Sequence, residues 1–361
     1  MKDFTCGVVL IFSFFTFEPS VQSCSILMRS ASDGAYMGKN LDWDFGHGLL
    51  IANPRGLIKT AIKSGSLTPA RWTSKYGSIT FNQVAREMPY GGLNEKGLDV
   101  EALWLRSSVF PTMATEPTVN ELQWIQYQLD TYTSVQEVID NVGKPNVVKQ
   151  YANLHYFACD GSGDCAIIEP IDGKFMVYHR ESLPLPALTN DTYVDSIRYS
   201  ESLNLSAKAA KPPLGVKSLA RFGRLSWLLK TIQSNISLKE QIFSDLLKVA
   251  NPVSNDDDAK TQWATVTDLT HQTIYYKTAN HPVTRMIYLS KFDFNCHQPA
   301  KTLDIDTDEA GDVTARFSNY TDEKGSSIVT KSLVTGFVHL PQAIAEKVVH
   351  YVDTMKCAEQ F

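Results

Sequence analysis

The chain reads as a layered α+β domain in which helices cover the outer faces of two stacked sheets. Three observations point there: short apolar runs bounded by turn residues fall in two blocks, amphipathic stretches of helical period fall in two more, and no repeat, low-complexity tract or long linker divides them. Of the 361 residues, 43% are hydrophobic and 20% charged, which supplies a full core and excludes disorder, collagen and coiled coil as overall descriptions. The 34 basic and 39 acidic residues leave a net charge of -5, so the chain carries no electrostatic footprint for a polyanion, and nucleic acid is not expected as a partner.

Residues 1–23, MKDFTCGVVLIFSFFTFEPSVQS, have the layout of a secretory signal peptide: Lys2, an apolar run from Cys6 to Phe17, then a polar stretch. That run is about 12 residues against the roughly 20 a bilayer core requires, so no membrane span is expected. Val21 and Ser23 suit a signal peptidase that reads positions -3 and -1. The cut then falls before Cys24, leaving residues 24–361 as one mature domain in the periplasm or outside the cell. A reading of another class makes Cys24 the lipidated residue of a binding protein. Gln22 argues against it, being bulky where lipoprotein processing expects a small residue.

From Cys24 the chain enters a hairpin: CSILMRSA, a turn at Ser32-Asp33-Gly34, then AYMGKNLDW. A three-residue loop with Gly34 left-handed pairs residue 31 with 35 and sets Cys24 opposite Asp42; a two-residue loop is read as moving the partner to Trp43. Strand-like runs GLLIANP, GLIKTAI, GSITFNQ and LDVEALWL follow, the last after the turn GGLNEKG, where Asn94 reads as a turn residue. VNELQWIQYQLDTY and SVQEVIDNV form the first helix pair, the second member opened by a capping box at Ser134 and Glu137. LHYFACD, DCAIIEPI and KFMVYHR are strands. KSLARFGRLSWLLKTIQSN and SLKEQIFSDLLKVAN are the second helix pair, with Ser237 and Glu240 again at capping-box spacing. QWATVTDL, QTIYYKTA and TRMIYLSKF complete the second strand block, and the acidic loop SNDDD at 254–258 reads as a solvated turn.

Five cysteines lie beyond the leader, an odd number in an oxidising compartment. Cys159 and Cys165 bracket the turn DGSGD, so a hairpin brings them within disulfide reach, and Cys296 can pair with Cys357. Cys24 is left over. The spacings are neither CxxC nor paired with histidines and there is no HExxH, so neither a metal nor another cofactor is expected.

An N-terminal cysteine joins a nucleophile and a base in one residue, because its α-amino group has a pKa near 8 and can accept the thiol proton. Asp42 would orient that amine, and Lys39 or Arg221 would favour the thiolate. Cys24, GKNLDW, GGLNEKGLDVEALWL, PALTNDTY, SLARF and QWATVTDLTHQTIYYKTA occur in one order from about residue 24 to about 295. In these motifs the chain resembles the choloylglycine hydrolase and penicillin V acylase family of N-terminal nucleophile hydrolases. The resemblance implies a four-layer αββα sandwich, with Cys24 as nucleophile and base and Asp42 at the terminal amine. It implies an oxyanion hole made by the Asn190 side chain and the Trp104 backbone N–H, with Arg221 near the nucleophile.

Two departures stand out. The family's arginine three residues before the aspartate is Lys39 here, and the interval from Cys24 to Asp42 is one residue shorter than in well-known members. Trp104 stands where bile salt hydrolases tend to carry asparagine and penicillin V acylases tyrosine. The expected activity is hydrolysis of a small-molecule linear amide of the conjugated bile acid or penicillin V type through a thioester on Cys24. Acylase action on N-acyl homoserine lactones is the alternative, and a homotetramer is what the resemblance implies for assembly.

Overall fold

The computed structural model describes residues 23–111, 117–203, 205, 211–231, 237–250, 261–336 and 339–358. Nearly all of residues 1–23, read from the sequence as a leader, and the SNDDD loop lie outside the described residues. Two sheets form the centre. The first runs β1 (Ser25–Ala31), β2 (Gly34–Asp42), β10 (Thr261–Asp268), β11 (Thr273–Thr278) and β12 (Arg285–Tyr288), with short edge strands Ala187–Leu188 against β1 and Gly311–Asp312 against β12. The second runs β9 (Lys174–His179), β8 (Cys165–Ile171), β7 (Leu154–Cys159), β6 (Asp99–Trp104), β5 (Gly91–Asn94), β4 (Ser78–Asn82), β3 (Leu49–Asn53) and β13 (Lys301–Asp304), closed by Ser318–Asn319.

The first sheet is covered on its outer face by α4 (Ser218–Thr231) and α5 (Leu238–Ala250). Gly38 lets α5 come close, since a Cβ there would fall on the Ile242 side chain. α1 (Glu121–Thr131) and α2 (Val135–Asp140) cover the second sheet, with the fully buried Trp124 stacked on Tyr156 of β7 at 4.3 Å. Between the sheets, Phe81 of β4 meets Tyr276 of β11 edge to face at 6.3 Å. This is the αββα order expected, and each strand run named from the sequence contributes a strand.

The local chemistry agrees where it is strongest. Ser134 and Glu137 form the capping box that opens α2. Asn94 accepts from the backbone N–H groups of Lys96 and Leu98 and donates to the Leu129 and Tyr132 carbonyls, so it tightens the GGLNEKG turn and ties it to the end of α1. Cys159 and Cys165 are direct cross-strand partners joined by a disulfide, and a second joins Cys296 to Cys357.

Two readings need correction. The β1–β2 loop has two residues, Ser32 and Asp33, with Ala31 paired to Gly34; the register is therefore Ser25 to Asn40 and puts Cys24 opposite Leu41, neither Asp42 nor Trp43. Gly34, at φ +154°, is the first residue of β2 and does not close the loop. Helices are also more numerous than two pairs. α3 (Tyr193–Ser202), α6 (Asp322–Val329) and α7 (Gln342–Val349) escape the sequence pattern because they are short and carry thin apolar stripes, and α6 also contains a glycine.

The cysteine pairing predicts that the chain beginning at Cys24, unfolded without reductant, titrates with one thiol. Three or five would mean that a bridge is absent in solution.

Candidate active site

The register that moves Cys24 opposite Leu41 also sorts the side chains. Alternation sends Cys24, Lys39 and Leu41 inward between the sheets, and Ser25, Asn40 and Asp42 outward beneath the helix layer. Ser23 still precedes Cys24 here and takes a strand position, donating its N–H to the Asp42 carbonyl at 2.9 Å. Cys24 is 2% exposed. Burial pushes its pKa up to about 11, against the opposing pull of Lys39, of the Asp42 backbone N–H and of Arg221. With Ser23 attached, the sulfur is a neutral thiol without a free amine to deprotonate it.

Asp42 ends β2, where a bulge in β10 between Thr261 and Trp263 turns Thr261 towards it. Its carboxylate accepts from Thr261 Oγ1 at 2.6 Å and from Asn40 Nδ2 at 2.7 and 2.8 Å. Burial nevertheless pushes its pKa up to about 6, with Arg221 and these hydrogen bonds acting in the other direction.

Arg221, in the first turn of α4, is buried and engages all three nitrogens of its planar fork. Nη1 donates to the Cys24 carbonyl and to Ser25 Oγ at 2.7 Å, Nη2 to Asn190 Oδ1 at 2.6 Å, and Nε to the Val216 carbonyl at 3.1 Å. Orienting the Asn190 amide in this way turns its Nδ2 to the Trp104 carbonyl at 2.8 Å, and a primary amide keeps a second N–H beyond that bond. On β6, Ala102 N–H bonds Tyr90 on one side and Leu105 N–H bonds Asn153 on the other. By alternation the Trp104 N–H faces the Tyr90 side, past the start of β5 and next to the carbonyl that Asn190 reaches. The loop carrying Asn190 is fixed from behind: its own N–H donates to Ser218 Oγ at 2.8 Å, and the Thr189 carbonyl meets His155 Nε2 at 2.8 Å.

Cys24, Asn190, Arg221 and Trp104 thus form one hydrogen-bonded set, with Asp42 close enough for its charge to act on both Cys24 and Arg221. Lys39 sits on the inward face, where its ammonium is engaged by Glu101 at 2.5 Å and by the Tyr90 carbonyl at 3.2 Å. Thr261, Asn40, Ser218 and Glu101 were not read from the sequence. Only Glu101 left a signal there, as a carboxylate two residues from Asp99 in an otherwise apolar strand. Among the described residues, no group of three or more His, Cys, Asp or Glu could hold a metal ion, and no helix is long and apolar enough to cross a membrane.

Comparison with known proteins adds to this geometry. A sequence model of the linear amide C-N hydrolases, choloylglycine hydrolase family, matches residues 23–199. A penicillin V acylase of Pectobacterium atrosepticum is 28% identical over 267 residues, 62% of this chain and 69% of the relative. A bile salt hydrolase/transferase of Bifidobacterium longum is 26% identical over 217 residues, 55% of this chain and 66% of the relative, just under two thirds of its length. The structure of penicillin V acylase from Agrobacterium tumefaciens superposes with a TM-score of 0.72 at 25% identity, covering 82% of this chain and 98% of the other. A variant of conjugated bile acid hydrolase from Clostridium perfringens shares the fold, with a TM-score of 0.63 at 16% identity over 80% of this chain and 98% of the other.

The raised carboxyl has a measurable consequence. The folded full-length chain holds the Asp42 proton more tightly than the unfolded chain does, so the associated stabilisation is complete below the ordinary value of 3.8 and is lost as pH rises through about 6. Urea unfolding of the uncut chain and its Asp42→Asn variant should show their stability difference shifting against the parent by about 2 kcal/mol between pH 4 and pH 7. A constant difference would mean that Asp42 is ionised throughout.

Proposed function

The chain belongs to the choloylglycine hydrolase family of linear amide C–N hydrolases, and on that premise we propose that it acts through Cys24 after the peptide bond to Ser23 is cut. One observation carries this reading: the Arg221 fork bonds the carbonyl of Cys24 and the side chain of Asn190 together, joining nucleophile and oxyanion donor through one rigid group. Removal of residues 1–23 vacates the Ser23 position beside Asp42 and frees the Cys24 amine, giving the buried carboxylate a cationic neighbour. That charge draws the Asp42 pKa back down and holds the amine in place.

In its neutral form the amine, directly or through a water, then takes the thiol proton as Sγ attacks the amide carbonyl, and so becomes again the cation beside Asp42. Negative charge gathers on the carbonyl oxygen, where the second Asn190 N–H and the Trp104 N–H stabilise it. The protonated amine passes its proton to the leaving nitrogen as the C–N bond breaks, leaving a thioester on Cys24. Water, deprotonated by the same amine, attacks the thioester; the acid departs and the thiol regains its proton. No metal or organic cofactor enters these steps.

For substrate we propose a conjugated bile acid or penicillin V type amide, following the activities named for the relatives. The leader and the two disulfides support a periplasmic or secreted location. Assembly as a homotetramer rests on family resemblance alone, and light scattering on the mature protein tests it.

Intact mass of exported, active protein should begin at Cys24 with an unmodified amine; an acylated cysteine would favour the lipidated binding protein instead. Cys24→Ser should leave the fold intact and remove nearly all hydrolysis of glycocholate, taurocholate and penicillin V, and substantial residual turnover would end the nucleophile assignment. Asn190→Ala should lower kcat by about 100 to 1,000-fold with a smaller change in KM, because its bond strengthens in the transition state. A variant that loses only thermal stability would place Asn190 outside the reaction.

A further inference from the structure

Lys39 replaces a planar guanidinium with a point charge on a flexible stem, which by itself would wander. In this fold it does not. Its ammonium is fixed by Glu101 and the Tyr90 carbonyl, and the two side chains of the ion pair are only 6% and 5% exposed. Glu101 has a prepared seat. It is the direct cross-strand partner of Gly91, and its carboxylate occupies the space that a Cβ at 91 would fill.

On its other side Lys39 reaches the nucleophile. Cys24, opposite Leu41, is the diagonal neighbour of Lys39 on the same inward face, roughly 7–8 Å away between backbones. Of the charged groups around the thiol, Lys39 acts on it most strongly, ahead of Asp42 on the same strand and Arg221 from α4. An ammonium has three N–H donors; two are engaged, which leaves one for the sulfur side.

We propose that Glu101 is a positioning residue whose carboxylate, seated over Gly91, clamps Lys39 so that its charge stays beside Cys24. The pair thereby replaces the rigidity that arginine carries in its own plane. The neighbouring carboxyl on this face is Asp99, also on β6, whose pKa burial and the Glu101 charge push up; burial pushes the Glu101 carboxyl up as well, with Lys39 acting in the other direction. What Glu101 sets on this face is the position of the Lys39 ammonium.

This inference rests on Cys24 as nucleophile, but its deciding readout is the reactivity of the thiol itself, with turnover only a second measurement. On the mature protein, Cys24 is the free thiol, and its reaction with iodoacetamide across pH reports the thiolate fraction. Releasing the clamp with Glu101→Ala should let Lys39 leave, moving the alkylation midpoint up by about one pH unit. It should also lower kcat about tenfold with little change in KM. Gly91→Ala should shift the midpoint the same way while removing neither charge. Lys39→Arg combined with Glu101→Ala should bring the midpoint back down, since a guanidinium needs no clamp. A downward shift in Glu101→Ala would mean that Glu101 merely cancels the lysine charge, and an unchanged midpoint would mean that it does nothing for the thiol; either overturns the proposal. Should Glu101→Ala fail to fold, Gly91→Ala and the double variant decide, and a midpoint equal to the parent in the first or still raised in the second overturns it. Activity surviving in Cys24→Ser would instead refute the nucleophile reading and leave the alkylation result standing.

Discussion

A buried guanidinium is the constraint on which the site depends. Stripping a cation of water costs several kcal/mol, and the chain tolerates it at Arg221 because four oxygen atoms from four different residues surround it. Those oxygens belong to segments far apart in sequence: the start of β1, the loop ending at Asn190, and the turn before α4. The need to satisfy one fork therefore fixes where the first strand begins relative to a helix almost 200 residues later. Planarity matters as much as charge, since one nitrogen holds the Cys24 carbonyl while the other turns the Asn190 amide.

The two faces of β2 separate two electrostatic tasks. On the helix side Arg221 and Asp42 share a polar layer with Asn40, Ser25 and Thr261, where an amine released at Cys24 would find a carboxylate. Between the sheets Lys39, held by Glu101, puts its charge on the side of the thiol. A single strand can serve both because its side chains alternate between its two faces.

Attachment of Ser23 also explains why an uncut chain would be chemically quiet. Its N–H completes a strand bond to Asp42, the amine is tied up as an amide, and the neighbouring thiol is held protonated by burial. On the proposed reading, cutting one peptide bond would change all three at once, so that nucleophile, base and a partner for the buried carboxylate would arise from the same event.

Local rules carried much of this protein. Signals confined to a few neighbouring residues, such as the capping box at Ser134, the Asn94 turn and the Cys159–Cys165 hairpin, were legible because their chemistry is complete within a short segment. The order of the motifs likewise named Cys24, Asp42, Asn190 and Arg221 as candidates before any fold was known. Hairpin register was not legible, because Ser32-Asp33-Gly34 admits loops of different length and only packing against the second sheet and the α5 side chains selects one. The partner of Lys39 was hidden for a related reason: Glu101 lies 62 residues away on the opposite sheet, and no local pattern shows that a lysine and a glutamate will share a dry interior. Sequence alone determined which groups could react; tertiary structure decided which face each occupies and which charge it meets, because those depend on register and on the stacking of sheets that are distant along the chain.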